Sequence, residues 1–152
     1  ADTAPFITGG VLYEGQGRFF RRAPGYPCQV VWGNWRMASI LVVAGNEGWP
    51  NGGEIDIMER LNNDTIAYQT VHSAYTYTLG IKDNPKQGGI GFINRDDYNV
   101  YSVEMYQDSL VFFINETRTF AYPRIETDKE GQFPFTDKKF YLLLDMQLGG
   151  SW

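Results

Sequence analysis

This sequence has little of what would mark several common functions. It has one cysteine, Cys28. A lone thiol excludes an internal disulfide and leaves the compartment open. Positive charge is scarce, with 13 basic residues against 18 acidic ones and a net charge of −5. No basic stripe is visible, which argues against duplex or single-stranded nucleic acid as a partner. No run approaches the roughly 20 apolar residues of a membrane span, and no charged-then-apolar leader opens the chain. Helix signals are nearly absent, and there is no internal repeat or low-complexity tract. The chain offers aromatics and turns instead: ten Tyr, ten Phe, four Trp and seventeen Gly in 152 residues. That balance suits a single domain of twisted β-sheets joined by tight turns.

The strand pattern follows the chain. Phe6 to Tyr13 reads as an edge-like strand, and Ile40 to Ala44 as a short apolar strand buried on both faces. Thr65 to Tyr77 is rich in β-branched and aromatic residues, and Asp83 to Gly91 reads as a loop. Tyr98 to Met105, Leu110 to Ile114 and Arg118 to Tyr122 form a meander of two hairpins. Thr127 to Asp137 is a polar connection, and Phe140 to Leu148 a last strong strand. Short strands at regular spacing predict an all-β fold, an antiparallel β-sandwich. Asn115-Glu116-Thr117 is formally a glycosylation sequon, which chance explains equally well.

The densest chemistry lies in Gly53-Glu54-Ile55-Asp56-Ile57-Met58-Glu59. Strand alternation puts Glu54 and Asp56 on one face and Ile55 and Ile57 on the other. Glu59 is out of phase, and one extra residue between Asp56 and Glu59, a β-bulge, aims it with the other two. Desolvating like charges side by side drives their pKa values apart. One carboxylate that stays ionised beside one that keeps its proton is the equipment for cleaving a glycosidic bond. Alternate strand residues are about 7 Å apart at Cα, within reach of the ~5–5.5 Å carboxyl separation of a retaining mechanism.

The run Trp49-Pro50-Asn51-Gly52-Gly53-Glu54-Ile55-Asp56-Ile57-Met58-Glu59 resembles the catalytic strand of glycoside hydrolase family 16. It is most similar to the bulged branch of laminarinase-like endo-β-1,3-glucanases, agarases, porphyranases and carrageenases. Ala1 to Val11, Thr70-Val71-His72, Tyr98 to Tyr122 and Met146 to Trp152 match weaker family features in the expected order. The resemblance implies a concanavalin A-like jelly roll, with residues 1–152 an incomplete catalytic domain that begins after the opening strands and stops before the closing ones. Glu54 is then the nucleophile, Glu59 the general acid/base, and Asp56 the partner that orients and polarises Glu54. Trp49, Trp35 and Trp152 become candidate sugar-binding aromatics, and His72, Gln147 and Asn46 candidate polar contacts. No cofactor is implied. The structural calcium of many relatives uses ends this chain lacks, so no metal is assigned. The expected ligand is a β-glucan polysaccharide or oligosaccharide. An algal galactan, or a binding relic without turnover, is the alternative. Such a protein would be secreted by a bacterium, or held in its periplasm or at its surface, and uncovered strand edges would favour association.

Two departures stand out. Arg18 to Val43 lacks the family pattern G-R-x-E-V-R-A-K followed by G-x-W-P-A-x-W. A poor match between good ones has two sources, divergence and a compensating pair of frame shifts. Pro24 and Pro27 also argue against a central strand there. Glu104-Met105 stands where many relatives have Glu-Trp.

Overall fold

The computed structural model describes residues 36–45, 47–136 and 138–149 throughout, and the backbone of 9–13 and 26–28. Ten strands are described: β1 Gly9–Tyr13, β2 Tyr26–Cys28, β3 Arg36–Ala44, β4 Glu54–Leu61, β5 Ile66–His72, β6 Gly88–Phe92, β7 Asn99–Met105, β8 Ser109–Ile114, β9 Thr117–Pro123 and β10 Phe140–Leu148. They form two antiparallel sheets, of order β1-β10-β3-β4-β5-β6 and β2-β7-β8-β9. The all-β sandwich expected from the strand spacing is the fold observed.

Alternation builds the core. Ile40 and Val42 of β3, Ile55 of β4, and Ala67 and Val71 of β5 meet Tyr101 and Val103 of β7, Leu110, Phe112 and Ile114 of β8, and Tyr122 of β9. Each large apolar side chain buried this way contributes about 1.5–3 kcal/mol. The opposite face of β4 and β5 is then free to carry polar groups without breaking the core.

Several segments differ from the sequence reading. β3 is longer than Ile40 to Ala44, and within that run only one face is buried, since Leu41 and Val43 stay half-exposed on the other. Part of the expected loop before Gly91 is strand β6. Its glycines are strand residues because the sheets approach closely there. A Cβ on Gly89 would come within 2.9 Å of Phe120, and one on Gly91 within 2.5 Å of Thr119. The run to Tyr77 is broken at Ser73, where the chain turns into a five-residue π-helical turn, Ala74–Thr78. Ser73 caps it reciprocally: Thr76 N–H donates to Ser73 Oγ and Ser73 N–H to Thr76 Oγ1. The connection before β10 is not wholly polar, because Phe133 and Phe135 pack edge to face at 5.2 Å and close one end of the core. The strand containing Pro27 lies at the edge of its sheet, where a missing N–H is tolerated.

At the β8–β9 hairpin Asn115 and Glu116 both take positive φ, 48° and 66°. The Asn115 amide accepts from Val100 N–H and donates to Asn99 Oδ1, so the sequon asparagine is engaged within the fold.

Candidate active site

Strand β4 presents the three carboxylates through its pairing. Glu54 stands opposite His72, Asp56 opposite Thr70, and Glu59 opposite Tyr68. Those partners alternate along β5 and share a face, so Glu54, Asp56 and Glu59 share that face as well. Two residues of β4, Ile57 and Met58, stand against one of β5, Gln69, which is a β-bulge. The pairing with β3 also skips Ile57, passing from Asp56–Leu41 to Met58–Ile40. Both bulge side chains are buried, at 2% and 1% exposure, so core packing holds the irregularity in place. Without it Met58 would face the trough and Glu59 the core.

Beside the carboxylates the trough floor is made by Val43, Leu41 and Ser39 of β3, then Tyr141, Leu143 and Asp145 of β10. Ser39, opposite Glu59, is buried, and its hydroxyl has no hydrogen-bond partner among the described residues. Trp49 stands over Glu54, its indole Nε1 donating to Glu54 Oε2 at 2.6 Å. Asp56 is 2% exposed, and His72 Nε2 lies 3.1 Å from its Oδ2. The other ring nitrogen, Nδ1, is 3.3 Å from Gln87 Nε2. With that amide donating to Nδ1, the proton of the neutral ring sits on Nε2, on the side of Asp56.

The electrostatics separate the three acids. Glu54 is pushed up from its ordinary value by burial and then by the charge of Asp56, while the Trp49 hydrogen bond and His72 pull it back. Burial also raises Asp56, against the hydrogen bond and charge of His72. Glu59 is pushed up to about 7, by burial first and then by Asp56, with Glu54 adding to the rise and His72 opposing it. Burial draws His72 down, but its hydrogen bond to Asp56 and the charges of Asp56, Glu54 and Glu59 outweigh that, and the net shift is upward. Glu59 can therefore hold a proton near neutrality while Glu54, bound by the indole N–H, is the better candidate for the ionised form. Among the described residues no group of three or more His, Cys, Asp and Glu could hold a metal ion.

The turn before β4 sets where Glu54 begins. Gly53 has φ +87°, and a Cβ there would meet Phe135 Cε1 at 2.7 Å and Pro134 Cγ at 3.0 Å. Gly53→Ala should therefore cost about 2 kcal/mol or more from the left-handed backbone and the aromatic clash together. That corresponds to a melting temperature lower by about 5 °C, read by calorimetry. An unchanged melting temperature would mean the turn relaxes freely.

The aromatic wall has a member that the sequence reading assigned only to a strand. Tyr77, on the π-helical turn, packs edge to face on Trp49 with ring centroids 4.4 Å apart. Both stay open to solvent, at 57% and 51% exposure. The signal available in the sequence was Ser73 with Thr76 three residues later, a capping pattern that ends β5 and turns Tyr77 back toward the trough. Gln147 lies on β10 on the trough face by register, exposed, and donates to Asp145 Oδ2 at 2.8 Å. Trp35, Asn46 and Trp152 lie outside the described residues. Gln69 and Gln87, which carried no signal in a sequence read for carboxylates and aromatics, also bear on the site.

The family model described as glycosyl hydrolases family 16 matches residues 33–148. The chain is 33% identical over 119 residues to a keratan-sulfate endo-1,4-beta-galactosidase of Sphingobacterium multivorum, covering 78% of this chain and 27% of that protein. It is 31% identical over 157 residues to a beta-glucanase of Rhodothermus marinus, covering 99% of this chain and 54% of that one. The chain thus spans from about a quarter to about half the length of these relatives. The laminarinase structure from Rhodothermus marinus superposes with a TM-score of 0.79 at 23% identity, over 94% of this chain and 60% of that one, a likeness of fold.

Proposed function

Given that the chain belongs to glycosyl hydrolases family 16, we propose that it is the catalytic core of a retaining endo-β-glucanase acting on β-1,3- or mixed β-1,3/1,4-glucan. The observation that supports this most is the shared face of Glu54, Asp56 and Glu59, with Glu59 pushed up to about 7. In the first step Glu54 Oε attacks the anomeric carbon while Glu59 gives its proton to the departing glycosidic oxygen. In the second, Glu59 takes a proton from water, and that water releases the sugar from Glu54 with the original configuration. Asp56 works through its buried charge, which helps keep the proton on Glu59 and favours the positive oxocarbenium. His72 balances that charge and orients the carboxylate. Trp49 and Tyr77 offer the open aromatic faces against which pyranose C–H groups pack. A polymeric substrate implies action outside the cell, at its surface or in the periplasm.

The relative that acts on keratan sulfate gives a second reading some weight, an endo-acting hydrolase of a β-galactan. Both are tested by incubating the protein with laminarin, barley β-glucan, agarose, porphyran and keratan sulfate and measuring new reducing ends. Release from the glucans alone supports the first reading, and release from a galactan alone replaces it with the second. Binding without release from any polymer, by a protein with an intact β-sheet circular-dichroism spectrum, would leave a carbohydrate-binding relic.

A further inference from the structure

The bulge that brings Glu59 into phase is gripped from the side of the core. Gln69 is 0% exposed and points away from the trough, between two apolar neighbours on its face of β5, Ala67 and Val71. An amide at such a position must have partners. Gln69 Nε2 donates to the carbonyl of Ile57, a bulge residue, at 3.2 Å. Its Oε1 accepts from Thr119 Oγ1 at 2.5 Å. Thr119 lies on β9 of the opposite sheet, where the β8–β9 pairing passes from Phe112–Phe120 to Phe113–Arg118 and leaves Thr119 out. Its hydroxyl also reaches the Phe112 carbonyl at 3.2 Å. Two ladder irregularities, one in each sheet, are thus joined through a single amide–hydroxyl contact. Gly91 makes room for it, since any larger residue there would strike Thr119.

We propose that Gln69 and Thr119 are positioning residues, which lock the β4 bulge and thereby set where Glu59 stands relative to Glu54. The alternative pairing, one residue out of step, would turn Glu59 into the core and Met58 into the trough. The Ile57 carbonyl is what Gln69 holds, and Ile57 itself has no partner in the register of β4 with either neighbouring strand. The groups that face Glu59 are Glu54 and Asp56 on β4, His72 and Tyr68 on β5, and, in the same row across Ser39, Asp145 on β10.

The inference rests on Glu59 being the proton donor, so the test reads Glu59 directly. Gln69→Met keeps the volume and removes both hydrogen bonds of the amide, whereas Thr119→Val keeps the bond to Ile57 and takes the hydroxyl away from Gln69 Oε1 and the Phe112 carbonyl. The Glu59 carboxyl is titrated by NMR in labelled, substrate-free protein, and kcat is measured on the polymer that the parent cleaves. In Gln69→Met the Glu59 midpoint should move away from about 7, because its burial and its distance from Asp56 and Glu54, which together set it, both change when the bulge is released. Turnover should fall on the order of 10²-fold, the usual result of a displaced catalytic group. Thr119→Val should move both in the same direction by less. A folded Gln69→Met protein with the parent titration would overturn the proposal, even if it melted lower, since Gln69 would then be structural only. Should that variant not fold, an unchanged titration in Thr119→Val overturns it. A shifted titration in a protein whose parent cleaves nothing upholds the positioning role and sinks the hydrolase reading instead.

Discussion

Glu54→Gln should lose turnover almost completely, with kcat lower by at least on the order of 10⁴-fold and the fold intact. An amide has no lone pair nucleophilic enough to displace the glycosidic oxygen, so the covalent step has no substitute. The change is nearly isosteric, and the new side-chain oxygen can still accept from Trp49 Nε1, which donates to Glu54 at 2.6 Å. Stability should therefore not fall. Glu54 is raised above its ordinary value, so the folded state holds this carboxylate less comfortably than the unfolded chain does. Stability from this group is complete below the unfolded pKa and is lost as pH rises through the folded one. Removing it should leave the melting temperature equal or higher above that window. Reducing-end assays and calorimetry check the two halves. A Glu54→Gln protein with most of the parent activity would rule out the assigned role. A smaller Glu54→Ala side chain gives a second check, because azide could occupy the vacated space and attack the anomeric carbon. The product expected is a glycosyl azide of inverted configuration.

Much of strand β4 was legible because its features are local. Alternation fixes the faces of Glu54 and Asp56, and the surplus residue before Glu59 demands a bulge. The register of β4 against β5 contains one. The sandwich was legible for a related reason, since β5, β7 and β8 bury alternate residues as their sequences suggest. What was not legible depends on contacts distant in sequence. Nothing in Gly88 to Phe92 says strand, because glycine disfavours strands unless another sheet comes close, and Phe120 and Thr119 do come close. Phe133 and Phe135 sit among polar residues and enter the core only because the loop folds over one end of the sandwich. Tyr77 looked like one more β-former until Ser73 turned the chain.

The site divides along the same line. Acidic residues declare themselves by type, whereas the groups that tune them are ordinary amides and hydroxyls whose partners lie up to 50 residues away, as Thr119 does from Gln69. His72 stood out as the single histidine, but its link to Gln87 crosses from β5 to the residue before β6. A sequence can therefore name candidate reacting groups while leaving open what holds them.

Glu59→Gln should separate proton donation from the rest of the reaction. With a polysaccharide, whose leaving alkoxide needs a proton, kcat should fall about 10²–10⁴-fold, the usual worth of a placed general acid. With an aryl β-glycoside whose phenol leaves unassisted, the first step should be nearly unaffected and the glycosyl-enzyme should accumulate, because the proposed mechanism also makes Glu59 the base that activates water in the second. The pH profile gives a further signature. In the parent the alkaline limb should fall near pH 7, where Glu59 loses its proton, and the acid limb should follow Glu54. The variant's residual activity should lack the alkaline limb. Stability should change in the opposite sense from activity. The folded carboxyl titrates near 7 against an ordinary 4.5, so its contribution is intact below about pH 4.5 and is lost progressively up to and beyond pH 7. At about 1.4 kcal/mol per pKa unit the ceiling is about 3 kcal/mol, and solvent screening in an open trough reduces the expectation to about 1–2 kcal/mol. Glu59→Gln should accordingly melt higher than the parent at pH 8 and nearly with it at pH 4. If the two proteins melted together at both pH values, the trough would not be forcing the proton onto Glu59, and the acid catalyst would have to be another group.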